Sequence, residues 1–336
     1  LGDVAATSGD VELAVAQFRK ALSIRKDPAV LRALVNVLVK NGKPDEALAE
    51  VRGYLQANPG DADMSRLLAS MFESLGNYAA AEQILMRLVE ASPKDTAAAY
   101  ALSKVYKDQG KLAEAQALLE KSINVGPTVL AYRYLAGIQS LSGRQQDAES
   151  TLRTAAKKFP DCLDAYNDLA SLLSGANRTT EATLVLKDAV AANRGRQEAY
   201  LALGQFYVAR GMQNEAEKFL KETSDGNPKF AMVLCLLGNL YLSRGDKAAA
   251  LGAYEKAVKY SPDDPRANNA LAYFLADEGI DAARAVRLAT FASGKLPGSP
   301  DVLDTLGWAY YSGGQYPNAV AALARAAGFL SSCPMW

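Results

Sequence analysis

Apolar and polar positions alternate along this chain with the period of α-helices, in paired blocks divided by a fixed punctuation. Between Pro228 and Gly245, Leu234, Leu237, Gly238 and Tyr241 fall on one helical face; beyond Gly245, Ala250, Tyr254, Ala257 and Val258 form a second. A glycine at the junction predicts the end of the first helix, because it accepts the left-handed backbone of a helix C-terminus at no steric cost. A proline such as Pro262 predicts the end of the second, since it lacks an N–H and its ring blocks further winding.

The punctuation repeats. Marks of the first kind fall at Gly9, Gly42, Gly76, Gly110, Gly143, Asn177, Gly211, Gly245, Gly279 and Gly314, separated by 33, 34, 34, 33, 34, 34, 34, 34 and 35 residues. Five residues after a mark stands an alanine: Ala14, Ala47, Ala81, Ala115, Ala148, Ala182, Ala216, Ala250 and Ala319, with one extra residue delaying it to Ala285 in the ninth copy. Prolines close the units at Pro59, Pro93, Pro127, Pro160, Pro228, Pro262 and Pro297, and Arg194 replaces the one expected in the sixth. The last copy, "LDTLGWAYYSGGQYPNAVAALARAA", shows the pattern whole: Leu306, Gly307, Tyr310, Gly314, Ala319 and Ala326. The pattern predicts helical hairpins whose small residues let paired helices approach and whose faces are buried only by stacking on neighbours. Tyr106, Tyr132, Tyr166, Tyr200, Tyr207, Tyr241 and Tyr310 recur at two fixed positions of the first helix and are expected to be packing residues.

A 34-residue period with these landmarks resembles the tetratricopeptide repeat, and the resemblance covers essentially the whole chain. It implies an all-α fold, a right-handed α-solenoid superhelix. The expected organisation is a partial repeat over 1–27, nine tandem repeats over 28–327, and a short tail over 328–336 without a polar capping helix. The tail is expected to fray, or to pack in a contact that the intact protein would not make.

In that family the first helices line the concave wall. Its inward positions here carry Arg32, Asn36, Lys40, Arg66, Lys104, Lys107 and Arg133 against Asp63, Glu73 and Asp108 in the earlier repeats. In the later ones they carry Asp164, Glu198, Asp277, Asp301 and Asp304 against Arg266, interleaved with Tyr273, Trp308 and Tyr311. A basic inner half and an acidic, partly aromatic one are therefore expected. The candidate groove residues are Trp308, Tyr311, Tyr273, Asn269, Asp304 and Asn239 in the later repeats, and Arg133, Arg66, Lys104, Arg32 and Asn36 in the earlier ones. Exposed aromatics are favoured binding anchors, because they bury much area at little entropic cost; the rival reading of Trp308 and Tyr311 is that they cover the exposed end of the last repeat or meet a further repeat.

Two binding patterns of the family are broken. Arg32 and Asn36 match the opening pair of the chaperone-tail carboxylate clamp, but Leu67, Ala97 and Ala101 fill its other places. The asparagine ladder of the sugar-transferase superhelix is replaced by Ala33, Leu67, Ala101, Tyr134, Asp168 and Ala202. Residues 267–320 also resemble the closing repeats of bacterial tetratricopeptide lipoproteins found with PEP-CTERM sorting and exopolysaccharide export. That resemblance implies a periplasmic or outer-membrane-associated setting; a cytoplasmic adaptor is the alternative.

Composition narrows the chemistry. The chain has 336 residues, above the roughly 250–300 that one core supports, which suits a repeat array. Its 37 basic and 37 acidic residues balance, so it is not built as a whole for nucleic acid or an anionic membrane. No apolar run approaches the roughly 18 residues a membrane span needs. The opening "LGDVAATSGD" carries no signal sequence and starts within a repeat, so the chain reads as a piece of a longer protein.

There is no histidine, which removes the commonest general base and metal ligand together. Cys162, Cys235 and Cys333 are too scattered for a disulfide framework or zinc site. No phosphate-cradling glycine motif occurs. The expectation is a non-enzymatic scaffold for a protein or peptide partner, without cofactor or metal, with polysaccharide as the other candidate ligand.

Overall fold

Each stretch between punctuation marks is a helix of 13 to 16 residues in the computed structural model, which describes residues 10–331. The Gly9 mark, Cys333 and residues 332–336 lie outside the described residues. In the described residues there are nineteen helices and no strand. They are α1 (Val11–Ile24), α2 (Pro28–Lys40), α3 (Pro44–Ala57), α4 (Ala62–Ser74), α5 (Tyr78–Ala91), α6 (Thr96–Asp108), α7 (Leu112–Val125), α8 (Val129–Leu141), α9 (Gln145–Lys158) and α10 (Leu163–Gly175). There follow α11 (Thr179–Ala192), α12 (Gln197–Ala209), α13 (Gln213–Gly226), α14 (Ala231–Ser243), α15 (Lys247–Tyr260), α16 (Pro265–Asp277), α17 (Ala282–Lys295), α18 (Pro300–Ser312) and α19 (Tyr316–Ser331). Even-numbered helices open the repeats and odd-numbered ones close them.

The backbone hydrogen bonds of the turns repeat from hairpin to hairpin. After α14 the backbone enters the left-handed region at Gly245, φ +80°. The Gly245 N–H donates to the Leu242 carbonyl at 2.9 Å and the Asp246 N–H to the Tyr241 carbonyl at 3.0 Å, which satisfies the last carbonyls of the helix. Asp246 then accepts from the Ala249 N–H at 2.9 Å and caps α15. Asn177, at φ +60°, is the only non-glycine residue at positive φ among the described residues. Its turn makes the same pair of bonds, to Ser174 and Leu173. Gly245→Ala is therefore expected to cost about 1–2 kcal/mol, whereas Asn177→Gly should stay within about 0.5 kcal/mol of the parent. Urea midpoints of the two variants check both values.

The second helices stop two residues before Pro59, Pro93, Pro127, Pro160, Pro228, Pro262 and Pro297. Where Arg194 replaces proline, the Nδ2 of buried Asn193 donates to the Ala189 carbonyl at 3.0 Å, a bond to the preceding turn that Asn58 before Pro59 and Asn227 before Pro228 also make. The alanines five residues past the marks, from Ala14 to Ala285, are fully buried where the two helices of a hairpin touch. In the ninth copy the extra residue, Ile280, sits exposed in the turn and leaves Ala285 in the same packed position. The recurring tyrosines are packed as expected: Tyr132, Tyr166 and Tyr207 are buried, and Tyr106, Tyr200, Tyr241 and Tyr310 half-buried.

The helices group into two units, Leu1–Leu172 and Leu173–Trp336, with the division inside α10. The first has a core of Leu34, Leu38, Met64, Leu85 and their neighbours, continued around Leu119 and Ile138. The second is built on Leu234, Tyr254, Leu271, Leu275 and Leu306. Helix α19 winds on through Ser331, across residue 328, because "RAAGFLS" has no proline to stop it.

Candidate functional site

The exposed residues of the first helices form narrow stripes, set by which positions each hairpin buries. In α18, Val302, Leu303, Leu306 and Ala309 are buried, so the exposed line is Asp301, Asp304, Trp308 and Tyr311 at helical spacing. The same register in α16 presents Arg266, Tyr273 and Asp277, with Asn269 half-buried between them. In α14 it presents Asn239. Helices α16 and α18 share a core through Leu271, Ala272, Leu275, Leu306 and Ala309, which sets their stripes side by side.

This wall is aromatic and exposed. The Trp308 and Tyr311 rings stack, centroids 5.4 Å apart at an interplanar angle of 17°. Tyr311 in turn meets Tyr316 of α19 at 5.6 Å. Tyr273, Trp308 and Tyr311 keep 44%, 38% and 54% of their surface in solvent, much for side chains of that size. Asn239 is only partly available, since its Oδ1 accepts from the Tyr254 hydroxyl at 2.5 Å and ties it to α15. The Oδ1 of Asn269 is shut off from solvent and accepts from nothing.

The stripes of the first unit carry Arg32 and Asn36 on α2, Arg66 on α4, Lys104 on α6 and Arg133 on α8. Here the expected basic half is corrected, because most of its cations are already paired. Arg66 is held between Asp63 and Asp95. Lys104 meets Glu73 at 2.8 Å and Lys107 meets Asp108 at 2.9 Å. Arg133 reaches Asp164 at 2.7 Å and also binds Asp168; the Asp168 hydrogen bond raises the guanidinium pKa further. Asp164, counted beforehand with the acidic half, is thus a partner of the supposed basic one. Of these cations only Arg32 and Lys40 make no ion pair among the described residues, and Arg32, Asn36 and Lys40 are exposed.

Some roles on these walls escaped the sequence reading: Asp95 and Tyr316 are not singled out in it, and Asp168 and Tyr134 figure only as replacements in the asparagine ladder. Asp95 and Asp168 lie 29 and 35 residues from their arginines, about one repeat, and that spacing is the signal that could have found them. Tyr316 was hidden because it opens a second helix. The Tyr134 ring packs edge-on against Tyr100 at 4.7 Å, and its buried hydroxyl finds no partner. Burial pushes its pKa up, as it does for the Cys235 thiol, which rises to about 12 and is inert as a nucleophile.

Among the described residues no group of histidine, cysteine or carboxylate side chains could hold a metal. No helix among them is long and apolar enough to cross a membrane.

Profiles described as "Tetratricopeptide repeat" match residues 1–28, 32–96, 142–195 and 173–240, and one described as "TPR repeat" matches 238–279. A profile described as "Anaphase-promoting complex, cyclosome, subunit 3" matches 74–155. No curated protein matches the chain in sequence. Among solved structures, yeast Tom70 superposes with a TM-score of 0.51 at 14% identity, over 98% of this chain and 90% of that one. Naa15/Naa10 bound to HypK-THB gives 0.43 at 20% identity, over 97% and 57%. YrrB, described as a TPR protein with an unusual peptide-binding site, gives 0.36 at 21% identity, over 53% and 91%. At these identities the likeness concerns the fold alone.

Proposed function

The chain is a tetratricopeptide repeat protein, and from that premise we propose that it is a non-enzymatic protein-binding scaffold holding an extended partner segment along α14, α16 and α18. The observation that carries this reading is the stacked, solvent-exposed Trp308–Tyr311 pair, beside Tyr273 on the neighbouring first helix. Stacked rings left in water favour a partner that covers them, and large rigid aromatics are the commonest source of concentrated binding energy. The wall of the first unit offers less free charge for this role, because most of its cations already face carboxylates of the protein.

The test is a cross-linking pull-down from the source organism's extract with the parent chain and with Trp308→Ala/Tyr311→Ala. Both residues face solvent, so the double variant is expected to keep its helical circular dichroism. Losing anchors of this kind costs about 2 kcal/mol or more, so recovery of the main partner should fall by about 30-fold. A partner recovered equally by both proteins would remove the site from this wall.

The resemblance of residues 267–320 to closing repeats of envelope lipoproteins supports a setting in bacterial secretion or exopolysaccharide export, where such a scaffold would order its partners. A polysaccharide that shifts Trp308 fluorescence with no protein present would instead favour a polymer ligand.

A further inference from the structure

The two walls differ in what their charges face. In the first unit Asp63, Glu73, Asp95, Asp108, Asp164 and Asp168 each lie against a lysine or arginine. On α16 and α18 the carboxylates of Asp277, Asp301 and Asp304 are exposed, and among the described residues no cation comes within ion-pair distance of them. Arg266, the one base on these stripes, is held at 3.2 Å by Asp264 at the helix start.

The aromatic surface works in the same direction. The face of an indole or phenol ring is the negative pole of its quadrupole, so a cation is attracted to it. Asp304 and Trp308 stand one helical turn apart, which places their Cβ atoms about 5–6 Å from each other. A carboxylate thus lies beside an exposed, stacked ring pair with no cation of the protein between them. The unmet demands exposed on this wall, free carboxylates and the faces of aromatic rings, are for positive charge.

We infer that the segment bound here is basic: an extended peptide stretch in which an arginine lies against the Trp308–Tyr311 pair and bonds to Asp304. This rests on the peptide-binding reading given above. Arginine fits better than lysine, because its planar guanidinium stacks on a ring while its edge N–H groups reach a carboxylate. Asp301 and Asp277 extend the acidic line for further basic residues on the same segment.

The test is selection from a displayed library of random dodecapeptides on the immobilised chain. It is run in parallel on Trp308→Ala and on Asp301→Asn/Asp304→Asn, with circular dichroism showing that all three proteins are folded. The expected pool depends on Trp308, is enriched in arginine over the naive library, and loses that enrichment on the asparagine variant. An arginine peptide from the pool should bind about tenfold or more weakly when salt rises from about 0.05 to 0.5 M, as partly exposed pairs are screened. A Trp308-dependent pool with no basic bias would overturn this inference and leave the peptide-binding reading standing. A pool indifferent to Trp308, or no enrichment at all, would overturn both.

Discussion

Gly238→Val is expected to destabilise the second unit by about 3 kcal/mol, and Gly238→Ala by about 1–2 kcal/mol. A Cβ at this position would lie 2.7 Å from Cε1 and 2.8 Å from Cζ of Tyr254, closer than non-bonded carbons approach. The Tyr254 ring has little freedom to retreat. It is buried, its hydroxyl is bonded to Asn239, and it packs at 5.4 Å against Phe274 of the next hairpin. Alanine recovers about 1 kcal/mol of helix propensity over glycine, which offsets part of the overpacking; valine recovers less and adds more bulk. Gly204→Ala is the control. There the added atom meets Cδ2 of Leu220 and of Leu236 at 2.8 and 3.1 Å, the far ends of side chains that can turn. Clash and propensity should then nearly cancel, within about 0.5 kcal/mol. Denaturant midpoints of the three variants decide it, and equal midpoints for Gly238→Ala and Gly204→Ala would refute the tyrosine wedge.

The second large effect lies in the first unit. Leu119→Ala should cost about 3 kcal/mol, because it empties a site ringed by Ala115, Leu135 and Ile138 with Tyr106, Leu112, Ile123 and Tyr134 outside them. Its reach is the sharper expectation. Hairpins in such an array are stabilised by nearest neighbours, so the loss should be local. Amide protection should drop in α6, α7 and α8 and stay at parent levels in α14 to α16. A uniform loss along the chain would mean that the array opens as one cooperative body.

Much of the fold was legible because each hairpin repeats one solution to one steric problem. A left-handed turn accepts glycine or asparagine at small cost, so Gly42 to Gly314 and Asn177 mark the same turn, and positive φ is found at each of them. The helix contact accepts only a small side chain, which makes the alanines periodic. The exposed line of α18 follows from register too, since Trp308 and Tyr311 lie on the face that buried Val302, Leu303, Leu306 and Ala309 leave free. Electrostatics was not. Counting Arg66, Lys104, Lys107 and Arg133 by face treats charges as independent, whereas stacking of repeats brings Asp95 to Arg66, and Asp164 and Asp168 to Arg133. A charge row read along one chain can be neutralised by the row beside it, and only the lateral packing shows which acid meets which base. The anchoring of Asn239 by Tyr254 escaped for the same reason, being a contact across the hairpin.

A row of free lysines and arginines works as an ion exchanger, gathering RNA and other polyanions whatever their sequence. The stripes of α4, α6 and α8 have that composition without that behaviour, because their cations are closed on carboxylates of their own or an adjoining repeat. In a crowded compartment this surface is non-stick towards polyanions, its charges serving to join neighbouring hairpins and to keep them hydrated. A polyanion that settled there would have to exchange with a carboxylate the protein already supplies.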